Sequence, residues 1–258
     1  MNSDPGRMVL VASNRGPVSF SIAADGTPSA KRGGGGMVSG LTSGLAAIAP
    51  EGGVSWVCAA LSDADREAVR KGARGDGGPG DVPVRMLDIP PATFDAAYNR
   101  VANSVLWFVN HLLFDTPVQP RFDAGFRRDW ACYEAYNEAF ARALADEAGD
   151  GTRVLVQDYH LALVPRLLRE RLLRERRPGA RIAHFQHTPW APPEYFRMLP
   201  DEVAAGLLEG MLGADHAGFL AGRWAGAFLD CCEAVLGAKV SRVADDAGPA
   251  AAGQVAGQ

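Results

Sequence analysis

Short apolar runs alternate along this chain with longer segments whose apolar residues recur every three or four positions. The first run, Met8–Ala12, reads as a strand and stops at Ser13-Asn14-Arg15-Gly16-Pro17. Val18–Ile22 reads as a hairpin arm turning at Ala24-Asp25-Gly26. Met37, Leu41, Leu45 and Ile48 fall roughly four apart and predict a helix that stops at Pro50. Val54–Ala60 and Val84–Ile89 are strand-like, with a polar helix at Ser62–Lys71 and a glycine-rich surface loop at Gly72–Pro83 between them. Pro91–Asn103 reads as a helix, Leu106–Phe114 as a dense apolar segment, and Phe126–Ala145 as a helix with Trp130, Tyr133, Tyr136, Phe140 and Leu144 in period.

Arg153–Gln157 is the clearest buried strand, followed by a helix at Leu161–Arg176 and a strand at Arg181–Phe185. Helices at Val203–Leu212 and Arg223–Leu236 surround a short strand-like segment, Ala217–Leu220. This βαβα rhythm predicts an α/β fold with a mainly parallel sheet. Ser241–Gln258 has six alanines, three glycines and no aromatic, Leu or Ile. It is expected to be disordered, contributing neither strand nor packed helix.

Composition narrows the function classes. The chain has 258 residues, 47% hydrophobic and 22% charged, enough for a real core. A net charge of -4 disfavours nucleic-acid binding through the whole surface. The arginines from Arg169 to Arg177 crowd a helix end and read as a solvated face. Cys58, Cys132, Cys231 and Cys232 show no CxxC spacing, against both a disulfide scaffold and structural zinc. The apolar run near the N-terminus is too short for a signal peptide or a membrane span, so a cytoplasmic location is expected.

Four loops carry candidate chemistry. Arg32 leads into Gly33–Gly36 and then a helix start, which suits a phosphate or diphosphate or else is a flexible surface turn. The spacing is neither a P-loop nor a dinucleotide fingerprint. Arg15, at the tip of the first strand, is placed to fork onto a phosphate. Asp158 and His160 follow one buried strand and His187 follows the next, so they converge on one crevice of a parallel sheet. No fourth ligand closes a metal site and no GxSxG elbow occurs, so a polar sugar site fits better. His184 lies inside its strand and reads as a core residue.

These motifs together carry a resemblance. SNRGP (13–17), GGGGMVSGL (33–41), YNRVANSVLW (98–107), QDYHLALVPRLLR (157–169), HFQHTPWAPPEYFRMLP (184–200) and FLDCC (228–232) resemble, in order, the N-terminal half of trehalose-6-phosphate synthases. These are retaining glycosyltransferases of a two-domain fold. The resemblance implies that residues 8–240 form a Rossmann-like acceptor-side domain with helices on both faces of its sheet. It implies transfer of glucose from a nucleoside diphosphate glucose to glucose 6-phosphate. Arg15 then holds the acceptor phosphate, with Tyr98 and Trp107 as aromatic partners. Gly35 and Gly36 lie near the donor diphosphate. Asp158 and His187 are the catalytic pair at the transferring sugar. No cofactor, metal, nucleic acid or membrane is implied. A second copy of the chain or a separate C-terminal half are the expected partners.

Two departures qualify the resemblance. Ala59 stands where the family often has the second Trp of a WxGW pair, at the acceptor pocket. The donor-binding C-terminal domain, with its Arg and Lys for the diphosphate, is not in this chain. Little activity is therefore expected of the chain alone. The alternatives are a non-catalytic sugar-phosphate-binding domain and a glycosyltransferase half with another acceptor, such as glycerol 3-phosphate.

Overall fold

The computed structural model describes residues 8–32, 40, 41, 44, 53–73, 82–114, 120–243 and 252–255. Six parallel strands form the central sheet: β1 (Val9–Ser13), β4 (Val54–Ala59), β5 (Val84–Leu87), β6 (Arg153–Gln157), β7 (Arg181–Gln186) and β8 (His216–Phe219). Their order is β5-β4-β1-β6-β7-β8. This is the doubly wound order in which the chain reverses direction across the sheet between β1 and β6. β1 is buried along its whole length because β4 and β6 pair with it on either side.

The period of two along the strands separates two cores. Leu10, Ala12, Val57, Val154, Val156 and Ile182 face one layer of helices. That layer includes α4 (Ala124–Glu147), α5 (Val164–Arg174), α7 (Asp201–Leu212) and α8 (Gly222–Leu236), with the one-turn α6 (Pro193–Phe196) against α8. Val9, Val11, Trp56 and Cys58 face the other side, under the hairpin β2 (Val18–Ile22) and β3 (Pro28–Arg32) and helix α1 (Asp63–Arg70). Asp65 fastens this smaller core. Its carboxylate accepts from the Ser62 amide at 2.9 Å to complete a capping box. It also accepts from the Phe20 amide on β2.

The Pro91 segment differs from the sequence expectation. The helix at Pro91–Asn103 and the apolar run after it are one continuous helix. α2 (Pro91–Asp95) widens into a π-helical stretch, Ala96–Leu106, and closes as α3 (Trp107–Asn110). The Trp107 amide accordingly bonds the Ala102 carbonyl, five residues back. Buried positions 96–97, 101–102, 105–106 and 109–110 step by five, four and four, longer on average than the 3.6 residues of an α-turn. Bonding at i→i+5 adds roughly one residue to each 3.6-residue turn. Nine residues then make about two turns, and Tyr98 and Trp107 share a face that an α-helix would deny them.

The tail is a second correction. Val240–Val243 (β9) and Ala252–Val255 (β10) pair as an antiparallel ribbon, where no strand was expected. Val240 and Val255 oppose each other and pack on the main core, with α8 beneath. Backbone pairing and two valines suffice for a ribbon that leans on a helix, and an alanine-glycine composition hides it. Among the described residues no helix is long and apolar enough to cross a membrane.

Candidate functional site

The switch point between β1 and β6 places the Arg15 loop beside the Asp158 loop. The β1 loop is tied down before it reaches Arg15. The Trp56 indole N–H donates to Ser13 Oγ at 2.7 Å, and Ser13 Oγ donates to the Arg15 carbonyl at 2.6 Å. Asn14 is buried, and its Oδ1 accepts from the Tyr136 hydroxyl. The Arg15 side chain itself is exposed, with a guanidinium nitrogen 3.5 Å from the Tyr98 hydroxyl.

Tyr98 joins the two loops. Its ring lies between Phe94, at 5.2 Å, and the His160 imidazole, at 5.3 Å, nearly parallel to both. His160 follows Asp158 by two residues and also packs against Tyr159. Burial, with the nearby Arg15 charge, pushes the His160 imidazole down to about 3. It is neutral at physiological pH and serves as an aromatic shelf. Trp107 lies farther along the same helix, packed on Phe108 and His111. Among the described residues no hydrogen bond or ring contact links it to Arg15 or Tyr98.

Asp158 and His187 meet across the ends of β6 and β7. Asp158 Oδ1 accepts from the His187 amide at 3.1 Å. The imidazole turns to Gln157, with Nε2 2.9 Å from Oε1. An oxygen at that position requires the Nε2–H tautomer, which leaves Nδ1 as an acceptor. Burial raises the Asp158 carboxyl, and His187 and backbone N–H groups pull it partly back. Burial lowers His187, against the pull of Asp158. Asp158 has φ 70° and ψ 169°, a region otherwise close to glycine-only. An aspartate there costs about 1–3 kcal/mol. Beside the pair, a cleft of about 590 Å³ runs over β6–β8, lined by Leu155, Gln157, Phe185, His187 and His216, with Leu41 above.

The structure thus gathers Arg15, Tyr98, Asp158 and His187 and sets Trp107 apart. Gly35 and Gly36 lie outside the described residues. Ala59 is 2% exposed and belongs to the main core. His184 is buried as expected, and its ring nitrogens have no partner among the described residues. Sequence reasoning missed Asn103, Asn137 and Gln157. Asn137 carried a readable signal, a polar residue on the apolar face of α4 one turn from Tyr133.

The arrangement excludes some chemistries. Burial pushes the Cys58, Cys231 and Cys232 thiols up to about 12, so none of the three is a nucleophile at neutral pH. Among the described residues no group of three or more His, Cys, Asp or Glu is arranged for a metal ion. What remains is a cation with a phenol, next to a carboxylate with an imidazole. That set suits a phosphate joined to a polyhydroxylated ring.

The sequence pattern of glycosyltransferase family 20 matches residues 7–252. The chain belongs to this family. Validamine 7-phosphate valienyltransferase of Streptomyces hygroscopicus is 33% identical over 236 residues, covering 87% of this chain and 45% of that protein. An α,α-trehalose-phosphate synthase (UDP-forming) of Aspergillus niger is 34% identical, covering 92% and 46%. Among solved structures, the N-terminal domain of a Candida albicans trehalose-6-phosphate phosphatase superposes with a TM-score of 0.69 at 26% identity, covering 94% of this chain and 46% of that one. A Burkholderia vietnamiensis α,α-trehalose-phosphate synthase gives 0.62 at 25%, covering 88% and 42%. This family 20 chain spans about half the length of the curated relatives it matches. Its described sheet is the Rossmann-like N-terminal domain of the two-domain glycosyltransferase fold.

His184, which is buried, and His160, which is largely covered, set a pH dependence. His184 is pushed down to about 4 and His160 to about 3, both mainly by burial. The unfolded chain takes up these protons near pH 6.5 and the folded chain does not. Their contribution is complete above pH 6.5 and is lost as the pH falls toward 4. The expected slope through pH 6 to 4.5 approaches about 1.4 kcal/mol per pH unit for each histidine. Urea unfolding across that range measures it. A flat profile between pH 6 and 4.5 contradicts the lowered titration of both imidazoles.

Proposed function

We propose that this domain holds a phosphorylated sugar as the acceptor in a retaining glucosyl transfer, with glucose 6-phosphate as the acceptor and a nucleoside diphosphate glucose as the donor. One observation carries the reading. An exposed guanidinium at the end of β1 meets the phenol of Tyr98, one aromatic stack away from the Asp158–His187 pair at the ends of β6 and β7. Arg15 and Tyr98 take the phosphate, and Asp158 accepts from sugar hydroxyls. His187 lies against the transferring glucose. The family resemblance assigns Trp107 to the acceptor side and Gly35 and Gly36 to the donor diphosphate, but Trp107 touches Phe108 and His111 rather than Arg15 or Tyr98.

The acceptor hydroxyl attacks the anomeric carbon from the face that the diphosphate leaves. A new C–O bond forms as the glycosyl–phosphate bond breaks, and a departing phosphate oxygen takes the hydroxyl proton. The configuration is retained and no protein nucleophile is used. Charge on the leaving diphosphate needs cationic groups, which the family supplies from a C-terminal half.

Calorimetric titration with glucose 6-phosphate, glucose and inorganic phosphate tests the reading. Binding of glucose 6-phosphate well above either fragment supports it. Equal binding of glucose and glucose 6-phosphate would refute it. A second reading rests on Ala59, a small buried residue where an indole is common in the family. It gives the pocket a different phosphorylated acceptor, such as the validamine 7-phosphate named for the Streptomyces relative. Competition between the two phosphates in the same titration decides the acceptor.

A further inference from the structure

Asp158 holds a backbone conformation that favours glycine. Such a residue persists only where its surroundings over-determine it. The turn that follows Asp158, Tyr159–Leu161, is gripped from two other elements. The Tyr159 hydroxyl donates to Asn103 Oδ1 at 2.8 Å. The Tyr133 hydroxyl donates to the Tyr159 carbonyl at 2.6 Å. Asn137 Nδ2 donates to the His160 carbonyl at 3.2 Å, while its Oδ1 accepts from the Leu163 amide at 3.1 Å. Tyr133 and Asn137 are buried one turn apart on α4.

The grip of Asn103 depends on the wide helix. Tyr98 and Asn103 are five residues apart, one π-turn, so Tyr98 meets His160 while Asn103 meets Tyr159. On an α-helix five residues rotate by roughly 140°, and the two side chains would diverge. Two successive residues of the Asp158 turn are thus read by one face of the helix.

We propose that Asn103, Tyr133 and Asn137 are positioning residues. They clamp the turn after β6 in the strained form that aims the Asp158 carboxylate, and none of them meets the ligand. What Asp158 meets rests on the sugar-phosphate reading above, whereas the clamp does not.

Two measurements test this. The first needs no ligand. Asp158→Gly and Asp158→Ala both remove the carboxylate, but only glycine relieves the backbone, so the glycine variant unfolds at the higher temperature. Asn103→Ala frees the turn to relax and is expected to shrink that gap by at least half. Asn103→Asp keeps the acceptor oxygen and is expected to preserve the gap. A gap equal in all three backgrounds would overturn the clamp.

The second measurement is calorimetry with glucose 6-phosphate and with inorganic phosphate. Asn103→Ala is expected to weaken glucose 6-phosphate at least fivefold and to leave inorganic phosphate unchanged, because Trp56 and Tyr136 hold the Arg15 loop independently. Asn103→Asp restores the affinity. Equal loss for both ligands would mean general loosening and would contradict the proposal. If the parent chain binds neither ligand, the acceptor reading fails, and the unfolding gap still decides the clamp.

Discussion

Arg15→Ala is expected to lower the affinity for glucose 6-phosphate by roughly 100-fold or more and to leave the unfolding temperature unchanged. The two effects separate because Arg15 is exposed and its one described side-chain contact is the Tyr98 hydroxyl at 3.5 Å. Removing it costs the fold little. The ligand loses charge-assisted hydrogen bonds, each about 1.5–3 kcal/mol. Two such bonds amount to at least about 3 kcal/mol, which is the 100-fold. Arg15→Lys recovers the charge without the fork and is expected to fall between. The variant carries a second signature. Arg15 helps hold the His160 imidazole down, so His160 titrates at higher pH in Arg15→Ala. Calorimetry and a histidine titration by NMR read both effects. An affinity within threefold of the parent would remove Arg15 from the site.

Gly16→Ala is expected to damage both fold and site. A Cβ at Gly16 would lie 2.4 Å from Cys58 Sγ and 3.1 Å from Cys58 Cβ. Neither side can yield easily. Cys58 is fully buried on β4, in register with Ser13. The loop is fixed by Trp56 on Ser13, by Tyr136 on Asn14, and by the Ala59 amide on the Asn14 carbonyl. Overpacking of this kind costs about 1–3 kcal/mol. The displaced loop carries Arg15 with it, so glucose 6-phosphate affinity is expected to drop at least tenfold. Cys58→Ala removes the sulfur and is expected to restore part of both losses in the double variant. Thermal unfolding and calorimetry on the three proteins check this. A Gly16→Ala protein with parental stability and affinity would show that the loop is not rigid.

Much of the sheet was legible because buried parallel strands leave compact apolar runs. Met8–Ala12, Val54–Ala60 and Arg153–Gln157 appear within a residue or two as β1, β4 and β6. The strand-end loops were legible too, since polar residues after a buried strand collect where a parallel sheet binds ligands. Three features were not. The stretch from Pro91 to Asn110 read as a helix followed by a separate apolar run, because the π-helical widening over Ala96–Leu106 breaks the α-helical period that would have joined them. The tail ribbon was hidden because backbone pairing needs little side-chain pattern. The strain at Asp158 had no signal at all, for an aspartate where glycine is favoured looks like any polar loop residue. Gly35 and Gly36 lie outside the described residues, and their place near the donor diphosphate is a proposal.

The most direct measurement is a crystal structure of this chain grown with glucose 6-phosphate. The expected result is a phosphate on the Arg15 guanidinium and the Tyr98 hydroxyl, with a sugar hydroxyl donating to Asp158. A phosphate bound elsewhere, or none at these residues at saturating ligand, would contradict the acceptor-site reading.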